Sequence, residues 1–167
     1  MDEVVLRPAG LADVPAVQQL AARVWRTHYP GIISQAQIDY MLERGYATEA
    51  LRTFIGHDDA GLELAREGEA LIGFAAWLNG PRAGEVKLDK LYVEPDRQRG
   101  GIGGRLIERV CDLARGRGAQ TLVLNVNRHN TGAQAAYRKR GFDVRETVVI
   151  DIGGGFVMDD YVMARAL

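Results

Sequence analysis

The spacing of apolar residues changes several times along the chain, and each change predicts an element. Val4 to Leu6 reads as a short first strand. Asp13 and Pro15 open a helix that carries Val17, Leu20, Ala21 and Val24 three or four residues apart. Thr27 to Gly31 breaks it, and Ser34 caps a second helix running through Ile38, Met41 and Leu42. Thr48 to Ile55 adds a third helical piece. Leu62–Arg66 and Ala70–Leu78, separated by Glu67-Gly68-Glu69, read as a hairpin. After a turn at Asn79 to Arg82, residues Glu85–Val93 alternate. Val86, Leu88, Lys90 and Tyr92 fall on one face, and Lys87, Asp89, Leu91 and Val93 on the other. Gly101 to Arg115 is helical, with Ile102, Leu106, Val110 and Leu113 as its stripe. Thr121–Val126 is a near-continuous apolar run, the pattern of an interior strand. Asn130–Arg140 is a helix ended by Gly141. Val144–Ile152 and Phe156–Met163 flank the turn at Gly153–Gly155.

The order β-α-α-β-β-β-α-β-α-β-β predicts the fold. The middle β-α-β should be parallel by the crossover rule, and the flanking strands antiparallel. The expected class is α/β (α+β): one mixed, mostly antiparallel central sheet with a parallel β-α-β core and helices on both faces. Residues 1–167 read as one domain, and the length suits a proper core.

Composition removes other classes. Apolar residues make up 47% and charged residues 26%, which is globular rather than disordered. Lys+Arg is 21 against Asp+Glu 22, so no basic excess points to nucleic acid. No apolar run approaches the 18 residues of a membrane span. The segment Met1 to Arg7 lacks the basic and apolar regions of a signal peptide, and the single Cys111 has no intramolecular disulfide partner. Cys111 lies in a helical pattern and reads as a small buried residue. The expected compartment is a reducing cytoplasm.

Glycine is in excess: 20 residues, where average usage gives roughly 12. Four fall at Gly100, Gly101, Gly103 and Gly104, between a strand and a helix. A helix N-terminus leaves its first N–H groups unpaired and carries a positive partial charge. Glycines let an anion approach those amides, and Arg97, Arg99 and Arg105 add charge, so a pyrophosphate is the natural guest. The Walker A pattern fails, because Arg105 stands where its second Gly should be. The dinucleotide pattern fails at Leu106. What remains is Gln98-x-x-Gly101-x-Gly103; a glycine turn without ligand is the alternative.

A second constellation follows the interior strand, from Asn125 to Phe142. Asn130, or Thr131 with Gln134 as a capping box, starts the helix. Ala133, Ala136 and Tyr137 share one face. The small alanines leave room for a ligand beside a tyrosine hydroxyl, although a core tyrosine is the plainer reading.

Together the two segments resemble the GCN5-related N-acetyltransferase superfamily. Gln98–Gly103 looks like that family's pyrophosphate loop. Asn130-x-x-Ala133-x-x-x-Tyr137-x-x-x-Gly141-Phe142 looks like its second motif, and the strand order matches along essentially the whole chain. The resemblance implies the acyl-CoA N-acyltransferase fold and acetyl-CoA as cofactor. It implies a pantetheine arm paired with backbone of Leu91, Tyr92 and Val93, between two strands that splay. Gln98 heads the loop, and amides from Arg99 through Gly100, Gly101, Ile102 and Gly103 to Gly104 would hold the diphosphate. Asn130 would bond the arm, and Ala133 and Tyr137 would line it. Tyr137 would protonate the leaving thiolate. An amide near Tyr92 would stabilise the oxyanion.

The base is where the sequence departs from known branches. Asn125 stands where ribosomal-protein N-terminal acetyltransferases often carry a Glu, and it cannot accept a proton as a base. Lys87 falls near the glutamate position of histone-type enzymes. Glu85 and Asp89 flank it and are the candidates, with a solvated strand face as the bland reading. The family's acceptor pocket maps onto the first interhelical loop and the last two strands. His28, Tyr29, Asp159, Asp160 and Tyr161 there suit a cationic amine. A polyamine-like small molecule is the favoured acceptor. A protein N-terminus or lysine, a non-catalytic acyl-CoA sensor and a nucleotide-phosphate binder are the rivals. Dimers are common in the family, so a homodimer is an option. The expected partners include neither nucleic acid nor membrane, and no metal.

Overall fold

The computed structural model describes residues 3–167. Its strands are β1 (Val4–Pro8), β2 (Ala60–Glu67), β3 (Ala70–Asn79), β4 (Glu85–Val93), β5 (Thr121–Asn127), β6 (Asp143–Gly153) and β7 (Phe156–Ala166). The helices are α1 (Val14–His28), α2 (Gln35–Gly45), α3 (Thr48–Arg52), α4 (Ile102–Gly116) and α5 (Thr131–Lys139). All strands join one sheet in the order β1-β2-β3-β4-β5-β7-β6. Only β4 and β5 pair in parallel, as their α4 crossover requires. The expected mixed, mostly antiparallel sheet is therefore the observed one. Among the described residues no helix is long and apolar enough to cross a membrane.

Two cores flank the sheet. α1, α2 and α3 cover one face, burying Val17, Leu20, Val24 and Ile38 against Leu62, Leu64, Phe74 and Ala76. α4 covers the other with Ile102, Leu106, Ile107, Val110, Cys111 and Ala114. Leu113, expected in that stripe, is only partly buried, because the stripe follows the helical period through 107, 111 and 114. Cys111 is fully buried, and burial pushes its thiol pKa up, so it sits inert in the core.

The alternation read along β4 is corrected at one residue. Trp77 lies opposite Leu88 but Ala76 opposite Lys90, so Asp89 is an extra residue in the strand. Such a bulge moves every later side chain to the other face. Leu91 and Val93 thus join Val86 and Leu88 towards α4, and Tyr92 joins the α1 core. The parallel ladder with β5 also ends there, at Leu88 opposite Leu124. Beyond it Asp89–Val93 and Asn125–Asn127 splay apart, while each still pairs with its outer neighbour.

Candidate active site

The splay leaves backbone groups open in one direction. Glu94 N–H bonds Ile72 O at 2.8 Å. Alternate residues of an antiparallel strand point their N–H and C=O the same way. Tyr92 therefore pairs with β3, while Leu91 and Val93 point towards β5. The Gln98 side chain donates to Val93 O at 3.2 Å. The Leu91 N–H and C=O and the Val93 N–H are left without partners among the described residues. The amide expected near Tyr92 is thus that of Leu91 or Val93. Gln98 ties the loop to the strand end through its carboxamide.

The glycine loop follows directly on this strand end. Gly101 caps α4 with φ +77°, a left-handed conformation that favours glycine, and a Cβ there would meet nothing within 4 Å. The first helical bond runs from Arg105 N–H to Gly101 O at 3.1 Å. Ile102, Gly103 and Gly104 therefore offer unpaired N–H groups. Gly100 does not, since its N–H already bonds Arg97 O at 3.2 Å. The charges expected around the loop also need revision. Arg97 is held by Glu67 at 2.9 Å, and Arg105 donates to Val4 O at 3.2 Å. Arg99 makes no ion pair among the described residues.

Arg140 was not anticipated. A Cβ on Gly104 would stand 1.9 Å from its guanidinium, so the glycine makes room for it. Arg140 makes no ion pair among the described residues. Together with Gly101, Gly104 and Arg105 it lines part of a surface depression of about 720 Å3. The sequence carried one signal: a small residue on the helix face where α5 ends close by. An open cradle of amides beside unpaired arginines, next to unpaired strand backbone, fits a pyrophosphate with an amide-bearing arm, as coenzyme A has.

α5 is fixed to this cleft by its N-terminus. Asn130 is the cap, its Oδ1 accepting from Ala133 N–H at 3.3 Å. The same oxygen lies 3.2 Å from His28 Nε2, joining the end of α1 to the start of α5. Gln134 is no capping-box partner; it is buried and donates to Asn127 O and Arg128 O. Tyr137 packs edge-on against Phe142, with ring centroids 5.7 Å apart. Ala133 packs beside it on the α4 core. Burial pushes the Tyr137 phenol well above its ordinary pKa, so the hydroxyl stays protonated at neutral pH.

Side chains from distant segments meet on the α1 face. The hydroxyls of Tyr29 and Tyr92 lie 3.2 Å apart, and Tyr29 stacks on Trp25 with centroids at 4.2 Å. Asp160 is only 4% exposed, and its Oδ1 is buried with no hydrogen-bond partner. The carboxylates read from sequence divide sharply. Glu85 is paired with Arg145 of β6. Roughly 20 Å of strand separates it from Leu91, so its lone pairs are committed away from the splay. Asp89 occupies the bulge beside Lys90 at 3.3 Å and Lys87 at 3.9 Å. Asp159 faces Arg128 at 3.5 Å, and Tyr161 packs on the α4 side. Neither joins Asp160, because neighbours in a strand point to opposite faces.

The glycine triplet also gains a cause. Gly153, Gly154 and Gly155 all have positive φ. Tyr40 of α2 donates to Ile152 O at 2.7 Å. Its hydroxyl and ring lie 2.6 and 2.8 Å from where Cβ atoms on Gly153 and Gly154 would stand. The β6–β7 tip is thereby clamped against α2, bordering the α1 face.

The chain belongs to the Acetyltransferase (GNAT) family, which it matches over residues 19–142. It is 26% identical over 157 residues to an uncharacterized N-acetyltransferase of Mycobacterium bovis, covering 94% of this chain and 99% of that one. A spermidine N(1)-acetyltransferase of Thermoplasma acidophilum is 26% identical over 158 residues, covering 92% and 94%. The crystal structure of the PaiA N-acetyltransferase from Thermoplasma acidophilum, solved with coenzyme A, superimposes with a TM-score of 0.85. It is 24% identical and covers 99% of both chains. The fold is that of the GNAT acetyltransferases, and the protein is an N-acetyltransferase.

Proposed function

We propose that residues 1–167 form one domain that moves the acetyl group of acetyl-CoA directly to a primary amine of a small cationic molecule, with polyamines favoured. The observation that carries this reading is the splay itself. It leaves Leu91 and Val93 backbone unpaired on the strand that leads into the Ile102–Gly104 amides, so an acyl donor and its diphosphate would lie along one strand-turn-helix passage. Acetyl-CoA supplies the activated acetyl group. Arg99, Arg140 and the α4 amides hold its phosphates, and Asn130 orients the arm with its carboxamide N–H groups. Ala133 and Tyr137 line that arm.

The Leu91 and Val93 amides are aimed where negative charge develops on the acetyl oxygen. Tyr137, kept protonated by burial, gives its proton to the departing sulfur. His28, Tyr29 and Asp160 border the acceptor side. A buried carboxylate with one unpaired oxygen supports a cationic substrate, and the similarity to a spermidine N(1)-acetyltransferase favours polyamines. A kinetic screen of polyamines, aminoglycosides, amino acids and peptide N-termini tests the reading. Acetyl-CoA-dependent turnover should be highest with polyamines. Turnover with peptide N-termini alone would replace the small-molecule acceptor by a protein one, and binding of acetyl-CoA with no transfer would make the protein a sensor.

A further inference from the structure

A neutral attacking nitrogen is required, and an aliphatic amine is almost wholly protonated at pH 7. Glu85 is bound to Arg145, and Asp89 sits between two lysines. Asn125 has no basic site. The carboxylate that remains is Asp160. β7 pairs it with Asn127, in the part of β5 that has left β4. Its side chain therefore stands on the wall of the splay, on the α1 face. Its residue is 4% exposed, and Oδ1 has no donor among the described residues. A buried carboxylate oxygen with no partner is destabilising, because it has given up its water without replacement. Such an oxygen marks a place where a donor arrives with the ligand.

We propose that Asp160 is the general base of the transfer. This rests on the amine-acetyltransferase reading above and adds the residue that activates the acceptor. Asp160 Oδ1 takes one proton from the acceptor ammonium. The freed lone pair forms the C–N bond to the acetyl carbon as the C–S bond breaks, and the bonding pair leaves on sulfur. Tyr137 protonates that sulfur, and the second amine proton passes from nitrogen to solvent as the neutral amide forms. Solvent then takes up the proton held at Asp160 and restores one to Tyr137, so the net release is one proton. No oxidant or further reactant is needed.

The groups facing Asp160 agree with the role. Burial raises its carboxyl above the ordinary carboxylate range, and Asp159 adds to the rise. A hydrogen bond from the Asn125 side chain of β5 and the charge of Lys87 on β4 oppose it, leaving Oδ1 as the unpaired oxygen. Tyr29 of α1 is close enough to feel the Asp160 charge, and β6 offers only Val148 opposite. A raised carboxyl is a stronger base than a solvated one, and Lys87 favours its ionised form.

The test compares wild type and Asp160→Asn with two acceptors, spermidine and hydroxylamine, whose nitrogen is already neutral at pH 7. Acetyl-CoA titration reports folding and donor binding in both proteins. With spermidine, kcat/KM at pH 7 should fall roughly 100-fold or more, the scale of a lost base, and the deficit should narrow as the pH rises and the free amine becomes abundant. With hydroxylamine the loss should shrink below about tenfold, and donor affinity should not change. Equal losses with both acceptors, or a spermidine deficit that does not narrow with pH, would overturn the assignment. If wild type turns over amines and the variant matches it, the base is lost but the amine-acetyltransferase reading stands. If wild type binds acetyl-CoA and acetylates no amine, both fall.

Discussion

The two sides of the cleft are built by different means. The side proposed to hold the donor uses backbone: Leu91 and Val93, then the amides of Ile102, Gly103 and Gly104. All lie within one strand-turn-helix passage, with Asn130 to Tyr137 added from one further segment. The side proposed to take the acceptor uses side chains brought together by tertiary packing. Tyr29 meets Tyr92 from 63 residues away, His28 meets Asn130 from 102, and Tyr40 meets Ile152 from 112. Backbone recognition needs only a conformation, and glycine spacing reports conformation. Side-chain recognition needs a particular meeting of distant residues, which leaves no local spacing. A family can thus keep its donor visible in sequence while its acceptor varies.

The strongest way to break that contrast is at Tyr137, the donor-side residue whose side chain is proposed to do chemistry. Tyr137→Phe keeps the ring against Phe142 and removes only the hydroxyl. We expect kcat to fall roughly 10- to 1000-fold, the scale of a lost general acid, with little change in acetyl-CoA affinity. Stopped-flow or steady-state assay with a saturating amine measures it. An unchanged kcat would leave the cleft's chemistry entirely to its acceptor side.

Next comes Gly101→Ala, which adds one methyl in open space but at φ +77°. A left-handed conformation costs an L-residue roughly 1–2 kcal/mol. Relaxing it would turn the α4 amides away, so acetyl-CoA affinity should weaken roughly 5- to 30-fold, measured by calorimetry. The amine KM should hold. Gly154→Ala is the mirror experiment on the acceptor side. It too has positive φ, and its new Cβ would meet the Tyr40 ring at 2.8 Å. The β6–β7 tip should shift from α2, raising the amine KM several-fold while donor affinity stays. If both variants weakened the donor alone, the division of the cleft would fail.

What the sequence made legible follows the same division. The glycine loop, the Asn130 cap and Tyr137 were visible because each depends on neighbours a few residues away. The β4 faces are not legible because Asp89 enters as a bulge, and nothing in an alternating string marks the residue at which β3 skips one partner. Arg97 and Glu85 look like available charges in the sequence, since neither the Glu67 nor the Arg145 pairing is local. Gly100 looks like its neighbours in the string, although Arg97 O takes its N–H. The triplet at Gly153–Gly155 was visible as a turn. Its reason, the Tyr40 ring lying on it, sits more than 110 residues earlier.

The smallest effect expected is on stability, and its sign separates a working carboxylate from a structural one. Burial raises the folded-state pKa of Asp160 above its unfolded value. Between those two values the folded chain binds more protons than the unfolded one. Stability is therefore lost as pH rises through that window, and the ionised form of Asp160 costs folding free energy. Asp160→Asn removes the charge and keeps the shape, and Lys87 opposes only part of the cost. Calorimetry at pH 7 should show the variant melting higher, and the difference should vanish at a pH low enough to protonate Asp160 in both states. A variant that melts lower would mean that the carboxylate holds the β5–β7 wall together. A variant that melts higher yet acetylates poorly would mean that the fold tolerates Asp160 for its chemistry, as active sites commonly do.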